Sequence, residues 1–316
     1  MTQDRSAPET PDSRAIILAT LGVVLAAFCW GLAAIFAKGA FERGVPPERM
    51  AEARIAVAGI PLLAYLLLAR RDLIRPPAAT LPAIGLFGVA LVAVNWSYYT
   101  AIDRLAVGVA ISLQYTAPVL VLLLVALVAH RLPSGVVWLA GALTLAGAVL
   151  VSGAYRGVAS LDGLGVAAGI SSAIWFAGYL LSAEAAGRRG AHPATVLTVG
   201  FAVAAVLWGA LLPWWDWPVE TLADPEIVLR VLGVGIVGTL IPFLLAVSAV
   251  RIISAAVAGI AATTEPVFAS ALAWLLLGQE LEPLQLVGGG LVVAGVVLAQ
   301  LQRRDPPDAV PVEVTP

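Results

Sequence analysis

The chain has 316 residues, a formal net charge of −2, 60% apolar residues and only 12% charged ones. Soluble domains carry about 25% charged and about 45–50% apolar residues. A mean hydropathy of +0.96 therefore excludes a disordered chain and disfavours a soluble globule, which would lack the polar surface to cover itself.

Residues 1–14 are polar, contain Pro8 and Pro11, and are expected to form a short disordered tail. Apolar runs follow at 15–37, 51–69, 82–102, 105–129 and 134–153, and again at 163–183, 193–213, 228–250, 252–277 and 284–301. A spanning helix needs about 20 apolar residues, so the pattern predicts ten transmembrane helices in an all-α membrane protein. The first run is too long for a signal-peptide core and reads as a retained helix. Runs this long without period-2 alternation are not strands. The loop from Pro213 to Glu226 carries Trp214, Trp215 and Trp217, as at a membrane interface. Residues 302–316 form a second polar tail.

Charge placement predicts orientation. With the N-terminus cytoplasmic, the inner segments hold eleven Arg and Lys residues and the outer ones six. That bias places both termini in the cytoplasm, in a multi-pass inner-membrane protein. A pI near 5.7 and the lack of a basic stripe argue against nucleic-acid binding. Cys29 is the single cysteine and reads as a small buried residue.

The strongest pattern is an internal repeat. Residues 107–150 align without a gap on 255–298, at an offset of 148. Pro118 meets Pro266, Gly141 meets Gly289, and Gly147 meets Gly295. Trp30 falls over Trp175 and Pro47 over Pro193 at slightly shorter offsets. The halves are 15–153 and 160–301, each with five predicted helices. An odd number means that two halves folded alike must lie inverted in the membrane. Inverted repeats are an architecture of alternating access.

With these residues in view, the chain resembles the EamA-type transporters of the drug/metabolite transporter superfamily. The resemblance rests on "FCWGLAAIFAKGAF" at 28–41, the arginine of "EARIAVAG" at 52–59, "SLQYTAPVLVLLL" at 112–124 and "ATTEPVFASALAWLLLGQELEPLQLVGGGLVVAGVVL" at 262–298. It implies ten helices, an inverted repeat and export of amino acids or related metabolites. Where that family often has an acidic residue after the fourth span, this chain has His130–Arg131.

Two charges lie inside predicted spans. Glu265 is the fourteenth residue of a 26-residue apolar run, near the bilayer midplane, where an acid costs roughly 2.5–3.5 kcal/mol on insertion scales. It reads either as a protonatable site for coupling or a substrate ammonium, or as a neutral carboxyl bonded to the Ala262 carbonyl that Pro266 leaves free. Arg54 lies about 8 Å inside its span at the helical rise. It either pairs with Glu265 or a substrate carboxylate, or snorkels to the outer interface. Pro118 and Pro266 are expected as mid-helix kinks, serving either gating or helix shape alone.

Asn95, Tyr98 and Tyr99 share one helix face, as do Ser171, Trp175 and Tyr179. Gln114 and Tyr115 precede Pro118, and Trp30 is the repeat mate of Trp175. Amides and aromatic rings at this depth suit a cavity for a small zwitterion, or else simple helix packing. Gly165, Gly169, Gly288–Gly290 and Gly295 are expected at close helix contacts.

No HExxH, GxSxG, CxxC or P-loop occurs, so neither enzyme chemistry, a cofactor nor a metal is expected. The partners expected are a small-molecule substrate and the lipid bilayer, with energy drawn either from protons as a coupling ion or from the substrate gradient itself; the oligomeric state is not encoded legibly. The favoured function is a secondary exporter of amino acids or their derivatives. Efflux of hydrophobic cationic drugs is the alternative, disfavoured because the first span holds no carboxylate before Glu42. A non-transport membrane scaffold is the third reading.

Overall fold

A computed structural model describes residues 13–105, 107–129, 133–156, 162–278 and 280–301. Within them the chain is helical, with no strand. The first half contains α1 (Ser13–Phe41), α2 (Pro47–Ala69), α3 (Leu81–Arg104), α4 (Val107–Gln114), α5 (Ala117–Ala129) and α6 (Gly135–Val151). The second contains α7 (Gly163–Arg188), α8 (Pro193–Leu211), α9 (Pro225–Gly235), α10 (Ile241–Ala249), α11 (Ala255–Ala262), α12 (Glu265–Leu277) and α13 (Pro283–Leu301). A π-helical segment, Ile236–Leu240, joins α9 to α10.

Eight helical stretches are long and apolar enough to cross a membrane, and two further apolar ones are shorter, Val109–Leu124 and Gly135–Val151. The chain is thus a multi-pass integral membrane protein. Among the described residues these two are shorter than the eight, so ten crossings are not shown. The first covers only residues 109–124. The second has 17 residues, or about 25 Å of helix at the usual rise, against a hydrocarbon core of about 30 Å. Ser13 and Arg14, expected in the tail, open α1. The rest of both tails, and His130–Arg131, lie outside the described residues.

Local sequence sets the boundaries. Pro47, Pro193, Pro225 and Pro283 open helices, where a missing N–H costs no hydrogen bond. Asp162 caps α7 by accepting from Gly165 N at 2.7 Å. Asp224 caps α9 by accepting from Glu226 N at 2.8 Å. The start of α11 is capped from another helix, because Glu184 of α7 accepts from Ala255 N at 2.8 Å.

Pro118 and Pro266 do more than kink. Each is the second residue of a new helix, after a break at 115–116 or 263–264. These breaks are related by the repeat offset of 148. Proline has no N–H for the carbonyl four residues back, so the preceding turn closes with bonds three residues apart. Thr116 N bonds Leu113 O at 3.1 Å and Thr264 N bonds Ala261 O at 3.2 Å. The Thr116 and Thr264 hydroxyls donate to the same two carbonyls.

The halves interlock. The helix α1 packs on α9 and α10, and its repeat mate α7 packs on α3. The pairs α2 with α8 and α6 with α13 each join repeat-equivalent helices, and α5 packs on α11, the repeat mate of its neighbour α4. Small residues permit these approaches. A Cβ on Gly147 would lie 2.6 Å from Gly288 O, and one on Gly295 2.8 Å from Ala140 O. Gly165 and Gly169 are similarly closed in by Leu105 and Leu113. Gly290, expected in the same role, faces open space.

Candidate functional site

The two helix breaks bring Glu265 and Tyr115 together. The Tyr115 hydroxyl donates to Glu265 Oε2 at 2.5 Å. Glu265 opens α12, immediately after its break, and Tyr115 sits in the break between α4 and α5. Its hydrogen-bond partner is thus a phenol from the other half. Tyr98 and Tyr179 lie within electrostatic range of the same carboxylate.

Arg54 is not the ion-pair partner of Glu265. It lies within electrostatic range of that carboxylate, but among the described residues it forms no salt bridge. Its Nε donates to Thr239 Oγ1 at 2.7 Å and its Nη2 to Gly238 O at 2.6 Å. Nη1 approaches Asn95 Oδ1 at 3.4 Å. Asn95 is itself oriented by donating to Leu91 O at 2.7 Å. Because α2 begins at Pro47, Arg54 stands about 10 Å along the helix. Its two shortest bonds run across to the second half rather than outward.

The remaining sequence-predicted residues form two groups. Aromatic rings make a continuous wall: Trp30 meets Phe243 edge-on, Phe243 meets Tyr179, Tyr179 meets Phe176, and Phe176 meets Tyr115. Tyr179 is buried and its hydroxyl has no hydrogen-bond partner among the described residues. The side-chain oxygen of Gln114 is likewise buried and unpartnered. Tyr99 lies against Phe41 and Tyr98, whereas Trp175 packs half-buried against the main core. Trp30, Arg54, Asn95, Tyr98 and Glu265 all keep part of their surface exposed.

Thr239, Gly238 and the π segment were not singled out from sequence. The signal available was the proline at 242, four residues after Gly238, in an otherwise uniform apolar run. A separate groove of about 320 Å³ lies between the start of α1 and the end of α13, lined by residues such as Thr20 and Gln300. It contains none of the site residues. Among the described residues no three His, Cys, Asp or Glu side chains gather as a metal would require.

The model of the EamA-like transporter family matches residues 17–153 and again 163–301. The chain belongs to the EamA-like transporter family. It is a transporter, and its substrate is a small molecule. The threonine/homoserine exporter RhtA of Escherichia coli K12 is 30% identical over 69% of this chain and 70% of its own length. An uncharacterized transporter of Archaeoglobus fulgidus is 30% identical over 75% of this chain and 82% of its own. The Bacillus subtilis uncharacterized transporter YwfM is 26% identical over 90% of this chain and 94% of its own. A solved crystal structure superposes with a TM-score of 0.74 at 22% identity, covering 90% of this chain and 97% of its own. That last likeness is one of fold. Within this EamA-like chain, the family model's two matches flank the segment between α6 and α7.

Proposed function

We propose that this chain exports amino acids or close derivatives by alternating access around a site between two inverted five-helix halves. The halves are residues 15–153 and 160–301, with polar segments at 1–14 and 302–316, ten crossings and both termini cytoplasmic in the inner membrane. The observation that carries the reading is the pair of repeat-equivalent helix breaks, at 115–116 and 263–264, that meet at the Tyr115–Glu265 hydrogen bond. Broken helices at the repeat interface free polar groups at mid-membrane depth without exposing backbone to lipid.

Arg54 and Glu265 supply opposite charges on the two sides of such a site. A zwitterion fits both: its carboxylate at the guanidinium, its ammonium at the carboxylate and the neighbouring rings. RhtA's export of threonine and homoserine supports the same substrate class. In this reading Trp30, Asn95, Tyr99, Gln114, Tyr115, Trp175 and Tyr179 line or support the site, and Glu265 also carries the coupling proton. Pro118 and Pro266 set the breaks about which the halves move.

The aromatic wall favours a second reading, efflux of hydrophobic cations, which stack on such rings. Arg54 opposes it, since a fixed cation repels another. Flux of labelled L-threonine, L-homoserine and a quaternary-ammonium dye in proteoliposomes tests both readings. Saturable amino-acid flux that responds to an imposed pH gradient is expected. Flux of the dye alone would overturn the amino-acid reading.

A further inference from the structure

A charged side chain within the bilayer persists where it pairs with another charge or bonds backbone carbonyls. Arg54 has the second kind of support, and it comes from one short segment of the opposite half. That segment, Ile236–Leu240, is π-helical, and Pro242 follows it. An α-helical Gly238 carbonyl would accept from the N–H of residue 242, which proline lacks. The carbonyl accepts from Arg54 Nη2 at 2.6 Å. The wider π turn also sets Thr239 beside it. Its hydroxyl hydrogen goes to Val234 O at 2.8 Å, so its oxygen is left to accept from Arg54 Nε at 2.7 Å.

A guanidinium has five N–H donors. Thr239, Gly238 and Asn95 take one each, from Nε, Nη2 and Nη1. One N–H remains on each terminal nitrogen, the pair that a carboxylate takes in a two-pronged contact. We propose that the π segment closed by Pro242 is a carboxylate-specificity device, in which Thr239 and the Gly238 carbonyl pin one edge of Arg54 and present the other edge to the substrate carboxylate. The proposal rests on the reading of Arg54 as the substrate's carboxylate partner. Thr239 acts through Arg54 and is a positioning residue.

The test compares L-threonine with L-threoninamide, which keeps the ammonium and lacks the carboxylate, as substrates in proteoliposomes. Thr239→Val should raise KM for threonine about tenfold with kcat within about twofold, the pattern of a lost binding contact. It should leave threoninamide unchanged, and Thr239→Ser should restore threonine. Equal losses for both substrates would make Thr239 a structural clamp and overturn the proposal. So would an unchanged threonine KM in folded Thr239→Val. Pro242→Ala returns the missing N–H and should cause the same threonine-selective loss; should Thr239→Val fail to fold, a Pro242→Ala variant with unchanged selectivity overturns the proposal on its own. A wild-type preference for threonine that survives both substitutions sinks this device and spares the role of Arg54. Wild-type protein that carries the two substrates alike, or neither, sinks both.

Discussion

Glu265 and Arg54 are the residues whose chemistry the membrane makes most consequential. Neither forms a salt bridge among the described residues, and each is bonded to neutral groups of the opposite half. In the proposed function, these neutral partners leave both groups available to an incoming zwitterion. Glu265→Gln keeps the shape and removes the titrating group. It should abolish the component of flux driven by a pH gradient, while exchange of substrate across vesicles without a gradient persists. Gradient-driven flux that survives in this variant would remove Glu265 from coupling. Arg54→Ala deletes charge-assisted bonds worth about 1.5–3 kcal/mol. It should therefore raise KM for carboxylate-bearing substrates by roughly tenfold or more, with less effect on threoninamide. Both residues were legible in the sequence because an ionisable side chain in an apolar run stands out. The partners of Arg54 were not. Thr239 is 185 positions away and belongs to a π turn whose apolar composition does not distinguish it from an α-helix.

At the scale of elements, the repeat predicts where helices break, and the structure shows why. Pro118 and Pro266 were expected to bend continuous helices, but each starts a new one. Proline position was readable from sequence. Whether the chain bends or breaks depends on the preceding threonines, whose hydroxyls take the carbonyls of Leu113 and Ala261. The contact of α6 with α13 makes a sharper prediction. Replacing Gly147 by Ala sets a Cβ 2.6 Å from Gly288 O, backbone that cannot swing aside. Overpacking of this kind costs about 1–3 kcal/mol, so the melting temperature of the purified protein should fall. Gly290→Ala meets nothing and should not lower it; equal effects from both would mean that α6 and α13 do not approach so closely. The turn after α6 is joined to the α12–α13 loop by Tyr155, whose hydroxyl donates to Glu282 at 2.8 Å, and by an Arg156–Glu282 pair. Tyr155 first, then Arg156, hold the Glu282 carboxyl below the usual carboxylate range. A depressed pKa means that this clasp persists through neutral pH and opens only as acid protonates Glu282. Being exposed, it adds little to stability. A Tyr155→Phe variant should show unchanged melting at neutral pH.

At the scale of the molecule, the exchange of contacts between halves is what a two-fold pair requires. If α1 packs on α9 and α10, a two-fold relation sends that contact to α7 on α3, and both occur. The relation also makes a statement about sides. Glu42, just beyond α1, and Arg188, the last residue of α7, are repeat-equivalent at an offset of 146, and both side chains are exposed. Parallel repeats would place them on the same side of the membrane. Inverted repeats place them on opposite sides, and with the proposed cytoplasmic N-terminus Glu42 is outside and Arg188 in the cytoplasm. Cys29 is the single cysteine and is buried, so a Cys29→Ser background leaves no other thiol to react. In that background, Glu42→Cys should react with a membrane-impermeant maleimide added to intact cells. Arg188→Cys should react only after the membrane is opened. Reaction of both from outside, or of neither, would contradict the five-helix inversion. It would also remove the geometric basis for a site that opens to each side in turn, because alternation by symmetry needs the two halves to exchange roles. With the sides established, the proposed mechanism would have the two breaks, which meet at the Tyr115–Glu265 bond, exposed to each side in turn, with Glu265 as the group that takes up and releases the proton.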